Sequence, residues 1–195
     1  MKSAIESLMN ERGRLRTAHE MLNAALAEEV RDEAFVPFYI AVADYMEASM
    51  GRLHDQDVKM LQRLAEALEP ADAEEEEIIA EVYRRLDGNQ AHLKDFLACR
   101  ADLQSAGASA VGKFEESSRA YIDFIHNRMG HHAPSTDLAR KIFGEDDWAD
   151  IANIDQGYFS KEQALYESVL QTRPGSVPLG QEASEYVVQY RRDKG

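Results

Sequence analysis

The sequence has few cysteines, prolines and glycines, and each shortage excludes a class of protein. A single cysteine, Cys99, occurs among 195 residues, which excludes the disulfide framework of small secreted domains. The longest apolar run, residues 34–43, is interrupted by Pro37 and reaches about half of the ~20 residues that a membrane span requires. The first residues have no apolar segment typical of a signal peptide. We therefore expect a cytoplasmic protein that has no membrane partner.

Basic residues are also scarce. Lys and Arg number 22 against 36 Asp and Glu, which gives a net charge of −14. Such a chain repels phosphate backbones unless its basic residues form one patch, and the sequence shows no gathering beyond short pairs such as Arg191-Arg192. Nucleic acid is not an expected partner. The glycine-rich motifs of nucleotide-binding proteins and the nucleophile elbow of hydrolases are absent as well.

The sequence is rich in apolar residues spaced close to 3.6 apart, the period of an α-helix. This spacing predicts four long helices, over about 1–31, 37–69, 89–106 and 110–132. We expect an all-α protein, an up-down four-helix bundle over residues 1–155. Residues 156–195 are expected to form a helical extension packed on the bundle.

Between the second and third long helices the sequence predicts a shorter acidic helix from Asp72. Acidic residues suit the first turn of a helix, so the run of glutamates at 74–77 is interpreted as a solvated surface. We expect Asp87-Gly88 to end this helix and Asn89 to cap the next one.

The second long helix carries ionisable residues on its apolar stripe. Steps of three and four residues from Ile40 to Leu68 place Glu47, His54 and Asp57 in line with core leucines. Buried charges must be paired, hydrogen-bonded or bound to metal. A second frame, with residues such as Met46 and Met60 inward, places the same three side chains at the edge of the apolar face. Both frames remain open from the sequence.

A weak internal repeat involves four histidines. Ala18-His19 recurs 73 residues later at Ala91-His92, and His54 recurs 72 residues later at His126. Two packed helical hairpins would bring these histidines to one level, where imidazoles and carboxylates commonly ligate iron or manganese. An ordinary core role for each histidine is the alternative. The candidate metal ligands are His19, Glu47, His54, Asp57, His92, His126 and His131.

This layout resembles the hemerythrin-like (HHE cation-binding) family. That family has one histidine on its first and third helices, matched here by His19 and His92, and a histidine with a nearby glutamate on its second and fourth. His54 and His126 are the nearest matches to the latter histidines, but positions 58 and 130 hold Val and Gly instead of Glu. Residues 121–151 are similar to the family's last core helix and the segment that follows it. The residues that carry this similarity are His131-His132, Leu138-Ala139, Asp147-Trp148 and Ile151.

The resemblance implies a non-haem metal centre, with two iron ions or with manganese, that engages dioxygen, nitric oxide or peroxide. Asp57 or Glu47 would have to supply the bridging carboxylates, and His131 would stand in on the fourth helix. Carriage, sensing and substrate oxidation by a redox enzyme are all compatible with such a centre.

The alternative is a metal-free module of the same fold that binds a partner protein or a small apolar ligand. In that case the apolar residues 35–43 would form a contact or homodimer surface, whereas in a metal-binding bundle they would be buried in the core.

Overall fold

The computed structural model describes residues 2–29, 33–129, 133–153 and 155–179. Regular structure within these ranges is entirely helical, which confirms the all-α prediction. The α-helices are α1 (Lys2–Ala27), α2 (Phe35–Ala67), α3 (Ala73–Ala106), α4 (Val111–Phe124), α5 (Ala133–Ile142), α6 (Glu145–Ala152) and α7 (Gln156–Thr172). A 3-10 turn at Gly107–Ala110 joins α3 to α4, and a π-helical segment, Ile125–Met129, continues α4.

Helix α3 corrects the sequence prediction, because it runs unbroken through the predicted stop at Asp87-Gly88. A glycine inside a helix costs only about 1 kcal/mol relative to alanine, and here it has a packing role. A Cβ atom on Gly88 would lie 2.5 Å from Cε2 of Phe124, so the missing side chain lets α4 approach closely. Asn89, the predicted cap, is instead buried inside α3 and accepts a hydrogen bond from the Tyr121 hydroxyl at 2.6 Å.

The beginning of α3 agrees with the sequence prediction. Asp72 is the N-cap, and its carboxylate accepts from the backbone amides of Glu74 and Glu75. The Glu75 side chain accepts in return from the backbone amide of Asp72. This reciprocal pair is a capping box, which satisfies amides that have no partner inside the helix.

The first four helices contact one another in cyclic order, α1 with α2, α2 with α3, α3 with α4 and α4 with α1. Helix α5 lies against α2 and α3, whereas α6 and α7 both pack on α1 and α2. The first hairpin is therefore covered by more chain than the second. The main core includes Met21, Leu22, Phe38, Tyr39, Met46, Met50, Phe96, Phe114, Tyr121 and Val169. A second apolar cluster, between α1, α2, α5 and α6, includes Leu8, Met60, Leu64, Trp148 and Ile151.

The apolar run at 35–43 belongs to the main core. Phe35, Phe38 and Tyr39 are buried, and Val36 and Ile40 are half-buried against the same cluster. This placement favours a role in the core for residues 35–43 over a role as a contact surface. Within the described ranges, none of the helices combines the length and apolar character that crossing a bilayer demands. Residues 180–195 of the predicted extension lie outside the described part of the chain.

Candidate functional site

The exposure of Glu47 distinguishes between the two orientations of α2 that the sequence allows. Met46 and Met60 are buried, whereas Glu47 is exposed and accepts a hydrogen bond from Arg100 Nη1 at 2.5 Å. The frame that places Glu47 inward is therefore wrong at this position. Its carboxylate forms a surface ion pair between α2 and α3, and Asp44 accepts from the same guanidinium at 2.7 Å.

Asp57, unlike Glu47, is buried, with 9% of its surface exposed. Its Oδ1 lies 3.5 Å from Nη2 of Arg12 on α1. The side chain of Arg85 on α3 is also within electrostatic range of Asp57. This carboxylate therefore faces two arginines and already has cations to neutralise it.

His19 on α1 and His126 in the π-helical segment that continues α4 lie within electrostatic range of each other. His19 is buried, and its Nε2 atom has no hydrogen-bond partner. Burial, with a smaller contribution from the nearby charge of His126, lowers the pKa of His19 to about 4. His19 is consequently neutral near pH 7, the form in which imidazole binds metal. His126 itself is exposed.

The other two histidines of the repeat have different surroundings. His54 is half-buried, with Nε2 3.0 Å from Nε2 of Gln90 and with a buried Nδ1 that has no partner. His92 stacks on the ring of Phe124, with centroids 4.7 Å apart, and is parallel to the ring of Tyr121 at 6.2 Å. His92 thus belongs to an aromatic cluster between α3 and α4.

The seven predicted ligands do not form one cluster among the residues that the structure describes. Within this part of the chain, no three side chains of His, Cys, Asp or Glu are grouped so that they could hold a metal ion. His131 lies outside the described residues, as does His132. His19 and His126 are within electrostatic range of each other, and Glu47 and Asp57 form ion pairs with arginines.

A buried polar group that the sequence does not reveal joins α1, α2 and α7. Glu162 is 2% exposed and accepts from Arg14 through both carboxylate oxygens, each at 2.7 Å. The Tyr45 hydroxyl donates to the same carboxylate at 2.9 Å. Burial and the charge of Glu162 raise the pKa of Tyr45, so Tyr45 stays protonated and acts as a donor. Only the docking of α7 creates this group, and no local pattern around Glu162 indicates it.

A comparison of this chain with protein-family models, curated proteins and solved structures finds no match.

Proposed function

We propose that α1–α4 form an up-down four-helix bundle of the hemerythrin-like kind and that the protein binds a non-haem transition-metal ion. Iron is the first candidate and manganese the second, because histidine nitrogen suits both. The observation that carries the proposal is the buried imidazole of His19, which has His126 within electrostatic range. His19 presents a buried nitrogen without a hydrogen-bond partner, and such atoms are rare in folded proteins unless a ligand or water satisfies them.

The donor set fits one ion better than a two-iron centre. Glu47 and Asp57, the predicted bridging carboxylates, are engaged by Arg100 and Arg12. Recruiting either carboxylate to a metal would break its ion pair with an arginine. We therefore assign His19 and His126 as protein ligands of a single ion. An iron ion held by these two histidines would have open coordination positions, at which dioxygen, nitric oxide or peroxide would bind.

Elemental analysis of untagged protein, expressed with added iron, tests this proposal. We expect about one iron or manganese ion per chain, because a single site is proposed. His19→Gln should reduce the metal content to less than about a tenth, since removing a ligand weakens such sites severely. His92→Gln is the matched control and should retain the metal, because His92 stacks on Phe124.

Two results would contradict the metal proposal. One is a folded protein without stoichiometric metal after expression in iron-rich medium. The other is a His19→Gln protein that keeps the wild-type metal content.

The second candidate function is a metal-free module of the same fold that binds a small ligand. It is favoured by the arginine partners of Glu47 and Asp57 and by the aromatic stacking of His92, since these contacts occupy predicted ligands without any metal. A metal-free, folded protein in the elemental analysis would favour this function over the first.

A further inference from the structure

A small cleft of about 60 Å³, open to solvent, lies between α1, α2, α5 and α6. Its apolar lining includes Leu8, Met60, Trp148 and Ile151. Arg12, Gln56 and Asp57 line it from α1 and α2, and Thr136 and Arg140 line it from α5. Apolar walls with a few convergent polar groups are typical of small-molecule sites.

Arg12, which lines this cleft, has an incomplete set of acceptors. The 3.5 Å separation between Arg12 and Asp57 is long for a charge-assisted hydrogen bond, which is usually about 2.8 Å. Arg12 Nε is buried and has no hydrogen-bond partner. The guanidinium of Arg12 can therefore accept a further anionic partner at this position.

Two arginines and one aspartate line the cleft, in a chain whose net charge is −14. The second arginine, Arg140, lines it from α5 and is paired with Asp137 at 3.1 Å. A buried donor without an acceptor destabilises the folded state. An acceptor that carries negative charge would relieve that cost at this position.

We propose that this cleft binds a small organic carboxylate with an apolar tail, its carboxylate held by Arg12 and Arg140 and its tail packed against Trp148 and Met60. The site shares no residue with the His19–His126 pair. The inference is therefore independent of the proposed metal binding, and either one can fail without the other.

Trp148 provides a direct test, because it is the only tryptophan in the chain and it lines the cleft. The purified full chain is titrated with hexanoate while tryptophan fluorescence is recorded, and calorimetry measures the same titration. Two further titrations use hexanamide, which keeps the tail without the charge, and acetate, which keeps the charge with almost no tail. We expect saturable binding of hexanoate at least about tenfold tighter than of either control, since a charged hydrogen bond and a buried tail each contribute more than 1.4 kcal/mol.

Substitutions identify the residues that bind the carboxylate. Arg140→Gln and Arg12→Gln should each weaken hexanoate binding about tenfold, the loss expected for one charged hydrogen bond. Arg140 is exposed, so its variant should fold even if the Arg12 variant does not. Arg16→Gln is the matched control, because Arg16 is an exposed α1 arginine paired with Glu20 and lies outside the cleft. The affinity of the Arg16→Gln variant for hexanoate should stay within about twofold of the wild-type affinity.

The proposal is overturned if hexanoate gives no saturable signal by either method, because the cleft would then not bind the carboxylate. Equal binding of hexanoate and hexanamide would overturn the role of the arginines, and equal binding of hexanoate and acetate would overturn the role of the apolar walls. Unchanged affinity in every folded arginine variant would place the ligand elsewhere.

Discussion

Lowering the pH from 7 to 5 should reduce the free energy of unfolding of the metal-free protein, and His19→Gln should remove part of that reduction. The cause is the burial of His19, which lowers its pKa to about 4, whereas a histidine in an unfolded chain has a pKa of about 6.5. Between these two values the unfolded chain binds a proton that the folded chain excludes. Stability contributed by neutral His19 is therefore complete above pH 6.5 and is lost as the pH falls toward 4.

The size of the effect follows from the two pKa values. The whole difference corresponds to about 3 kcal/mol, of which about 2 kcal/mol should be lost by pH 5. Most small proteins have a free energy of unfolding of about 5–15 kcal/mol, so a loss of this size is easily measured. Other groups that titrate over this range contribute equally to wild type and variant, and the comparison cancels them to first order.

Urea unfolding followed by circular dichroism, at pH 7 and pH 5 with a chelator present, measures the effect. The chelator excludes metal release as a source of the pH dependence. His19→Gln should lose about 2 kcal/mol less than wild type on acidification, while the control His92→Gln should lose as much as wild type, since it retains His19. An equal loss in wild type and His19→Gln would refute the assignment of His19 as a buried neutral imidazole.

Two further substitutions test the packing that positions the site, both measured by urea unfolding at pH 7. Gly88→Ala should destabilise the protein by about 1–2 kcal/mol, because the new Cβ would lie 2.5 Å from the Phe124 ring. Gly51→Ala should instead stabilise the protein by about 0.5–1 kcal/mol, because the space around the new Cβ is open. The same sign for both changes would contradict the close approach of α3 to α4. Arg14→Ala should lower the free energy of unfolding by about 3–5 kcal/mol, because it leaves Glu162 as a buried charge without its cation. Adding Glu162→Gln to that variant should recover part of the lost stability. No recovery in the double variant would show that the cost does not come from the charge on Glu162.

The helices were largely predictable because their signals are local. Apolar spacing, the acidic first turn of α3 and its capping aspartate lie within a few residues of the structure they determine. The predicted break at Asp87-Gly88 was wrong because glycine is only a weak helix breaker. The ring of Phe124 that fills the space beside Gly88 comes from a residue 36 positions away. Local sequence cannot reveal such a partner.

The candidate site was less predictable, because it depends on which side of each helix is covered. On α2, steps of three and four residues allow two frames that differ by a small rotation, and this rotation decides whether Glu47 lies in the core or on the surface. Arg100 favours the surface position by forming an ion pair there. That contact requires the register between α2 and α3, which no motif in either helix specifies.

The histidine repeat shows how tertiary packing makes two similar sequences different. Both halves place a histidine on each helix of a hairpin, and α6 and α7 add their packing to α1 and α2 of the first hairpin. His19 is buried, whereas His92 is half-buried and His126 is exposed. The pair formed by His19 and His126 consequently combines one desolvated imidazole with one that solvent reaches. A metal ion bound there would be held from the core side and open from the other, and a small diatomic ligand or peroxide would approach from the side of His126.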